Sequence, residues 1–169
     1  MRLYEGLIPT ISKEICAKLI DDELIEVDML NEGEFELDIQ SVLREYVRMD
    51  REIARLARDR AAEQGGNTFK HKRKIARERH FKIGDDSLDY IINQLIEMFF
   101  HTNNVDDIFA TDNDMRRTIA PVLKKHMNAD TELDLEVRSK IKNLKEGTAS
   151  WQIEYEKAMS KLKRVKKIE

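Results

Sequence analysis

The sequence predicts an all-α protein, in which two related units of three or four helices form an elongated bundle with little or no sheet. The 169-residue chain contains 37% charged residues but only six Gly and two Pro, a composition typical of long, well-solvated helices. Its apolar residues recur at spacings of three and four, as on one face of a helix. The apolar pattern also returns after eighty positions, which indicates an internal duplication.

The duplication hypothesis depends on an ungapped match between residues eighty positions apart. The match crosses two loops, which is harder to obtain by chance than a shared helical period, although chance agreement of the two periods is the alternative. We therefore predict a first unit over residues 1–82 and a second over residues 83–169. The matched pairs include Ile8 and Leu88, Ile11 and Ile91, Ile15 and Leu95, Leu19 and Phe99, Met29 and Phe109, Phe35 and Met115, Ile39 and Ile119, Leu43 and Leu123, Glu52 and Glu132, and Arg58 and Arg138.

The first helix of each unit is predicted over residues 4–20 and 87–102, where apolar side chains fall on one helical face. Pro9 is compatible with a first helical turn. A short apolar patch follows each helix, at residues 24–27 and 105–109. Either patch could form a strand-like bridge, but neither is long enough for a sheet.

The second helix of unit one is predicted from Glu34 to Gln64, where Gly65-Gly66 ends it. A bend could fall at residues 48–50, and any part of this helix that extends past its partners would form a dimer surface. In unit two, Pro121 requires a kink or restart near Thr118, and Asp130 can cap a new helix. The unit-one helix carries a heptad seam at Phe35, Ile39, Val42, Tyr46, Met49, Ile53 and Leu56.

The closing helix of unit two is predicted after Gly147, with Thr148 or Ser150 as its cap, and its counterpart in unit one is the stretch 69–81. A second seam in the closing helix comprises Trp151, Tyr155, Ala158, Leu162 and Val165. The predicted core residues are Ile11, Ile15, Ile39, Val42, Leu43, Leu95, Ile119, Val122, Leu123, Trp151 and Tyr155.

A dense basic run over residues 70–82 is the candidate nucleic-acid-binding segment, in a chain whose net charge is −3. Its cations could neutralise phosphates, and the flanking Phe69 and Phe81 could stack on bases. The alternative, which we favour, is a structural face that pairs with the nine acids of residues 21–38, a segment without Lys or Arg. The cations are Lys70, Lys72, Arg73, Lys74, Arg77, Arg79 and Lys82.

We assign no catalytic, cofactor or metal site from the sequence, and we lean against an enzyme. The four His lie outside any HExxH motif, and no P-loop, GxGxxG, GxSxG or CxxC motif is present. The acidic stretch 101–114 fails as a calcium loop, because Arg117 and Leu123 stand where Gly and Glu are required. The Glu52 and Glu132 carboxylates are interpreted as charges in a first helical turn.

Cysteine content and hydropathy favour a cytoplasmic protein without a membrane segment. The single Cys16 excludes an internal disulfide framework and suits a reducing compartment. The longest apolar stretches are far shorter than the roughly 20 residues that cross a bilayer.

The chain resembles a bacterial helical family classed as a domain of unknown function, number five hundred and seven in its series, and the stretch 132–159 is similar to the end of that family. The similar residues are Met1-Arg2-Leu3, Leu24-Ile25-Glu26, the helix Val137 to Ile141, and Gly147 followed by Trp151 and Tyr155. The resemblance covers nearly the whole chain, apparently as two tandem copies. In unit one, Phe69 and Arg73 stand at the positions that correspond to Trp151 and Tyr155 of unit two. The resemblance implies no settled activity, and its motif residues look structural.

We therefore expect a non-enzymatic module of the bacterial cytoplasm that acts by contact with a protein partner or with a second copy of itself. The alternative function is accessory nucleic-acid binding through the basic run. No residue is assigned a catalytic role.

Overall fold

The computed structural model describes residues 1–168, and in that range the chain forms seven α-helices and a single two-stranded sheet. The prediction of an all-α fold with little sheet is confirmed. The helices are α1 (Ile8–Asp21), α2 (Glu32–Gln64), α3 (Thr68–Glu78), α4 (Ser87–His101), α5 (Asp112–Met127), α6 (Ala129–Lys140) and α7 (Ala149–Lys166), and the strands are β1 (Ile25–Glu26) and β2 (Asp107–Ile108).

The main core lies between α1, the first half of α2, α4 and α5. Its largest side chains include Phe35 and Phe99, whose ring centroids are 5.5 Å apart. Residues of both predicted units contribute to this core, and Ile39 and Ile119 are both completely buried in it. The antiparallel pairing of Ile25 with Ile108 joins the same two parts of the chain at one end of the helices. The two patches predicted as strand-like bridges therefore pair with each other, as β1 and β2.

Helix α2 runs unbroken for 33 residues, so no interruption occurs at residues 48–50. The predicted heptad seam is only partly correct, because Val42, Tyr46, Met49 and Leu56 are half-buried. A straight helix in a globular core buries positions close to its own 3.6-residue period rather than the 3.5 of a coiled coil. The completely or nearly completely buried apolar side chains of α2 are Phe35, Ile39, Leu43, Val47, Ile53 and Ala57.

A second apolar cluster joins the end of α2 to α3. A three-residue turn separates the helices, and Gly65 and Gly66 adopt φ angles of 73° and 91° that favour glycine. Helix α3 folds back onto the second half of α2. The buried residues of this cluster are Ile53, Ala57, Ile75, Ala76 and Phe81. The apolar side chains in the second half of α2 are therefore packed within the chain by α3, so the condition for a dimer surface there is not met.

A third cluster packs the N-terminal segment against α6 and α7. Tyr4, Leu133 and Leu162 are buried there, whereas Trp151 and Tyr155 are only half-buried. Trp151, Tyr155 and Val42 are thus corrections to the predicted core, and Val165 of the second seam is 70% exposed, since α7 packs on α6 along one side only. A methyl group on Gly6 would lie 1.9 Å from the Lys167 carbonyl oxygen, so glycine permits this contact between the two ends of the chain.

The helix boundaries of the second half depend on caps more than on proline. Thr111 and Asp114 form a capping box at the start of α5. The helix continues through Pro121, so the expected restart near Thr118 is wrong, because packing of the following Val122 and Leu123 in the core offsets the lost hydrogen bond. Asn128 separates α5 from α6, and Thr148 caps α7 by accepting a hydrogen bond from the Trp151 amide.

Replacing Leu43 by Ala should lower the free energy of unfolding by about 2–5 kcal/mol, because the side chain is completely buried in the main core. Urea unfolding followed by circular dichroism measures the change. Leu135→Ala is the matched control, since Leu135 is 63% exposed and its substitution should change the free energy by no more than about 0.5 kcal/mol. Equal effects of the two substitutions would contradict the assignment of the core.

Candidate nucleic-acid interface

Local signals place the basic run on a short, well-capped helix. The Asn67 side chain accepts hydrogen bonds from the backbone amides of Phe69 (2.8 Å) and Lys70 (3.3 Å), which satisfies two free donors of the first turn of α3. The helix ends at Glu78, Arg79 is its C-cap, and His80 follows with a φ of 53°. The predicted helix over 69–81 is therefore present but ends three residues earlier.

One face of α3 packs on α2 and carries two of the predicted cations. Ile75 and Ala76 are each 2% exposed, and Lys72 and Arg79 lie on the same side of the helix at 100° per residue. The Lys72 ammonium lies 2.9 Å from an Asp50 carboxylate oxygen, and the Arg79 guanidinium lies 2.6 Å from Glu52. Apolar contact and two ion pairs thus attach this face to α2.

Glu52 lies between two guanidinium groups. It accepts one hydrogen bond from Arg79 and another, of 3.0 Å, from Arg48 on its own helix. The bond from Arg79, with Arg48 adding to it, holds the pKa of Glu52 below its ordinary value of 4.5. The interpretation of Glu52 as a first-turn charge is wrong, because α2 does not restart at residue 50. The carboxylate instead forms an ion pair with Arg79 at the end of α3.

The opposite face of α3 carries a stripe of four exposed cations: Lys70, Arg73, Lys74 and Arg77. At 100° per residue these four side chains fall within an arc of about 100°. Among the salt bridges of residues 1–168, none involves a member of the stripe. The stripe is therefore a concentration of positive charge that the fold does not neutralise, and the exposed Lys82 follows it.

The two phenylalanines that flank the run have different environments. Phe69 is 60% exposed, and the Arg73 guanidinium carbon lies 6.0 Å from its ring centroid. Phe81 is 3% exposed and packs on Tyr46 with a centroid distance of 4.8 Å. The prediction that Phe81 could stack on bases is wrong, because its ring fills the α2–α3 cluster. Only Phe69 is available beside the stripe.

The favoured pairing of the basic run with the acids of residues 21–38 is not observed among the residues that the structure describes. The Asp28 side chain accepts a hydrogen bond from the Leu30 amide, and Asp38 accepts bonds from Thr102 (2.5 Å) and Asn104 (2.8 Å). The three-residue turn after α2 brings the basic run to the last half of that helix instead. Sequence reasoning missed Asp50 as a partner, although a short connection between helices is a signal that they pack together.

The other acidic segment, residues 101–114, makes local hydrogen bonds. Asp114 caps α5, and the Thr111 bonds hold its pKa below the ordinary value. Asp106 accepts a hydrogen bond of 2.8 Å from the Asp28 amide. Over residues 1–168 no group of three or more His, Cys, Asp or Glu is arranged to hold a metal ion. In the same range no helix combines the length and apolar character needed to span a membrane.

Fold and site together define an all-helical protein with a basic surface helix. The chain belongs to the family described as "Protein of unknown function (DUF507)", whose family model matches residues 1–167. No curated protein matches the chain.

The residues behind the family resemblance form one structural cluster. Trp151 and Tyr155 stack with centroids 4.9 Å apart, and the Arg138 guanidinium lies 5.3 Å from the Trp151 centroid. The same guanidinium donates hydrogen bonds to Asp134 (2.9 Å) and Glu146 (2.8 Å). These contacts attach α7 and its preceding turn to α6, which agrees with a structural role for the motif.

Replacing Glu52 by Gln should destabilise the protein at pH 7 and have little effect at low pH. A folded-state pKa below the unfolded value gives stability that is present above the unfolded pKa and is lost as pH falls through the folded pKa. Urea unfolding of the variant and the native protein at neutral and acidic pH measures this difference.

Glu97→Gln is the control for that comparison, because Glu97 is exposed on α4 and its side chain forms no ion pair in the described residues. A Glu52→Gln effect of the same size at both pH values would contradict the proposed ion pair with Arg79.

Proposed function

We propose that the protein is a non-enzymatic binding module that contacts the phosphate backbone of single-stranded nucleic acid through α3. The observation that carries the proposal is the stripe of exposed cations at Lys70, Arg73, Lys74 and Arg77, without ion-pair partners among the described residues. Cations that contact phosphates release condensed counterions, which is the main source of affinity for nucleic acid.

The position of Lys70 in the helix supports a binding role over a purely structural one. Lys70 lies in the first turn of α3, and that turn contains no acid. The helix dipole disfavours positive charge there, so Lys70 does not improve the stability of the helix. A surface that binds an external anion accounts for this unfavourable charge, whereas a helix selected only for stability would carry Asp or Glu.

The exposed Phe69 favours a single strand as the ligand. Its ring borders the stripe, and base stacking on an exposed aromatic side chain adds affinity without sequence preference. The net charge of −3 means that acids outnumber cations over the whole chain, so a nucleic acid would be attracted only to local concentrations of positive charge such as the stripe.

The lowered carboxylate pKa values have structural causes. Hydrogen bonds from Arg79 to Glu52 and from Thr111 to Asp114 lower these pKa values, and each belongs to an ion pair or a cap. Burial raises the pKa of the Cys16 thiol to about 11, so the thiol is a poor nucleophile.

We place the protein in the reducing cytoplasm of a bacterium, on the basis of the free Cys16 thiol and of the family resemblance.

We also infer that the chain arose by tandem duplication, with units 1–82 and 83–169. Equivalent positions have matching environments, which supports the inference: Ile39 and Ile119 are both buried, and Met29 and Phe109 are both exposed. The order of elements is also similar, since each unit begins with a short 3-10 turn and a helix.

A second candidate function is self-association, favoured by exposed apolar side chains in the turn before α2. Met29 is 82% exposed and Leu30 is 90% exposed, and both follow the β1–β2 ladder. Large apolar side chains at adjacent exposed positions are typical of contact surfaces. This surface would bring two copies together at the end of the bundle where the strands lie.

Replacing Lys70, Arg73, Lys74 and Arg77 together by Gln should abolish most binding of a fluorescently labelled oligouridine, because the phosphate contacts are lost. Fluorescence anisotropy over a salt series measures affinity, and the slope of log affinity against log salt should fall by about 0.7 for each contact removed.

A matched control removes the same charge elsewhere through Gln at Lys13, Lys124, Lys142 and Lys145, all exposed. It should bind oligouridine nearly as well as the native protein. Equal losses in both variants would indicate a response to net charge alone, and no binding by the native protein at low salt would remove the proposal.

Replacing Met29 and Leu30 by Ser should prevent self-association without changing the fold. The native protein should shift from its monomer mass of 19.9 kDa towards twice that value as concentration rises, whereas the variant remains a monomer. Analytical ultracentrifugation measures the masses. Val165→Ser is the control, because Val165 is 70% exposed on α7. A native protein that is monomeric at every concentration would exclude this function.

A further inference from the structure

A cationic cleft lies between the N-terminal segment, α2 and the connection from α3 to α4. Its volume is about 680 Å³, which is within the range of small-molecule sites. The Arg2 amide donates a hydrogen bond of 2.9 Å to the Met127 carbonyl, and this bond attaches the N-terminal wall to the end of α5. The cleft is on the side of α3 that faces α2, so it is distinct from the exposed stripe.

Positive charge exceeds negative charge in the lining of the cleft. Two lining carboxylates are already neutralised, Glu5 by Arg51 at 2.7 Å and Asp50 by Lys72 at 2.9 Å. Since five lining residues are cationic and two are acidic, the excess is three positive charges. It comprises Arg2, Arg55 and Arg58.

These three guanidinium groups make only weak contacts within the chain. Arg55 contacts Asp59 at 3.3 Å in an exposed pair, which contributes little to stability. The Arg2 guanidinium carbon lies 4.9 Å from the Tyr4 ring centroid, and Arg2 forms no salt bridge among the described residues. Arg58 forms no salt bridge among the residues that the structure describes.

On the duplication inferred above, the counterpart of Arg58 is Arg138, eighty positions later. Arg138 donates to the carboxylates of Asp134 and Glu146. The positions eighty residues before these two acids are Ala54 and Gly66, so neither carboxylate is present around Arg58. Arg138 thus has two anionic partners, whereas Arg58 lines a cleft and has neither. The Arg58 guanidinium is therefore suited to bind an anion from solution.

We infer that this cleft binds a small molecule that carries a chain of two or three phosphate groups. The planar guanidinium matches two phosphate oxygens at once, and Arg55 and Arg58 lie less than one helical turn apart on α2. The cleft is much larger than a single phosphate, and Arg2 approaches from a separate segment. Several linked phosphates can therefore contact all three cations, which one orthophosphate ion cannot.

Apolar side chains complete the site beside the cations. Ala54 and Ile83 line the same cleft and are only half-buried, so they can contact an uncharged organic group attached to the phosphates. The ligand class is therefore a di- or triphosphorylated small molecule, with the phosphates at Arg55 and Arg58 and the organic part towards Ile83.

Isothermal titration calorimetry of the full chain with inorganic triphosphate tests the inference. We expect saturable binding of one triphosphate, and orthophosphate at matched ionic strength should bind about tenfold or more weakly, because it forms fewer charge-assisted hydrogen bonds. The double substitution Arg55→Gln and Arg58→Gln should weaken triphosphate binding by about tenfold or more for the same reason. Arg2→Gln alone should weaken it as well and serves as a second variant.

The control pair is Arg44→Gln with Arg117→Gln, which removes two exposed guanidinium groups outside the cleft and should leave triphosphate affinity unchanged. Equal weakening by the cleft and control pairs, or equal affinity for triphosphate and orthophosphate, would overturn the inference. The four-Gln variant of the α3 stripe should retain triphosphate binding, so failure of the cleft and failure of the nucleic-acid proposal are distinguishable. The inference would also be overturned if the four-Gln variant of the stripe lost triphosphate binding while the variant with Gln at Arg55 and Arg58 kept it.

Discussion

The length of α2 is the constraint on which the rest of the structure depends. This helix has 33 residues, whereas α1, α4 and α5, which surround the main core with it, have 14, 15 and 16. At 1.5 Å per residue α2 extends for roughly 50 Å, far beyond its partners. The apolar side chains of its second half, Ile53 and Ala57, would contact water without a further element. Helix α3 is that element, and the glycine turn returns it to the only part of α2 that lacks a partner in the main core.

That packing divides the charges of α3 between two roles. Cations that face α2 sit beside carboxylates, as Lys72 does with Asp50 and Arg79 with Glu52, because a cation next to an apolar interface requires a compensating charge. Cations on the opposite face have no such requirement, and none of them forms a salt bridge in the part of the chain that the structure describes. A basic run that looks uniform in sequence therefore has a structural half and a half that is available for binding. The cleft next to Lys72 adds a second positive region, built mainly from α2 and the N-terminal segment.

Local signals in the sequence predicted most of the fold, and non-local pairing accounts for what they missed. Helical periodicity, Gly65-Gly66 and the Thr148 cap correctly placed most helices, because each depends on residues close together in the chain. The partner of the basic run could not be found in this way, since acids at 21–38 and at 50–52 are equally acceptable by charge alone. Likewise Phe81 looked exposed within a polar run, although its ring is buried by residues from α2 and α4. The arginines at 51, 55 and 58 follow a helical spacing that could have indicated a shared face, but the opposing wall comes from the N-terminus.

Amide hydrogen exchange of the full chain most directly tests whether α3 is docked on α2 as one cooperative unit. Amides in cooperative units open with a common free energy, so residues 72–78 of α3 should be protected to the same degree as residues 53–64 of α2. Exchange near the rate of an unfolded peptide in α3, with continued protection of α2, would contradict the account. In that case the inward ion pairs would not hold α3 in place, and the separation of its two faces would have no structural basis.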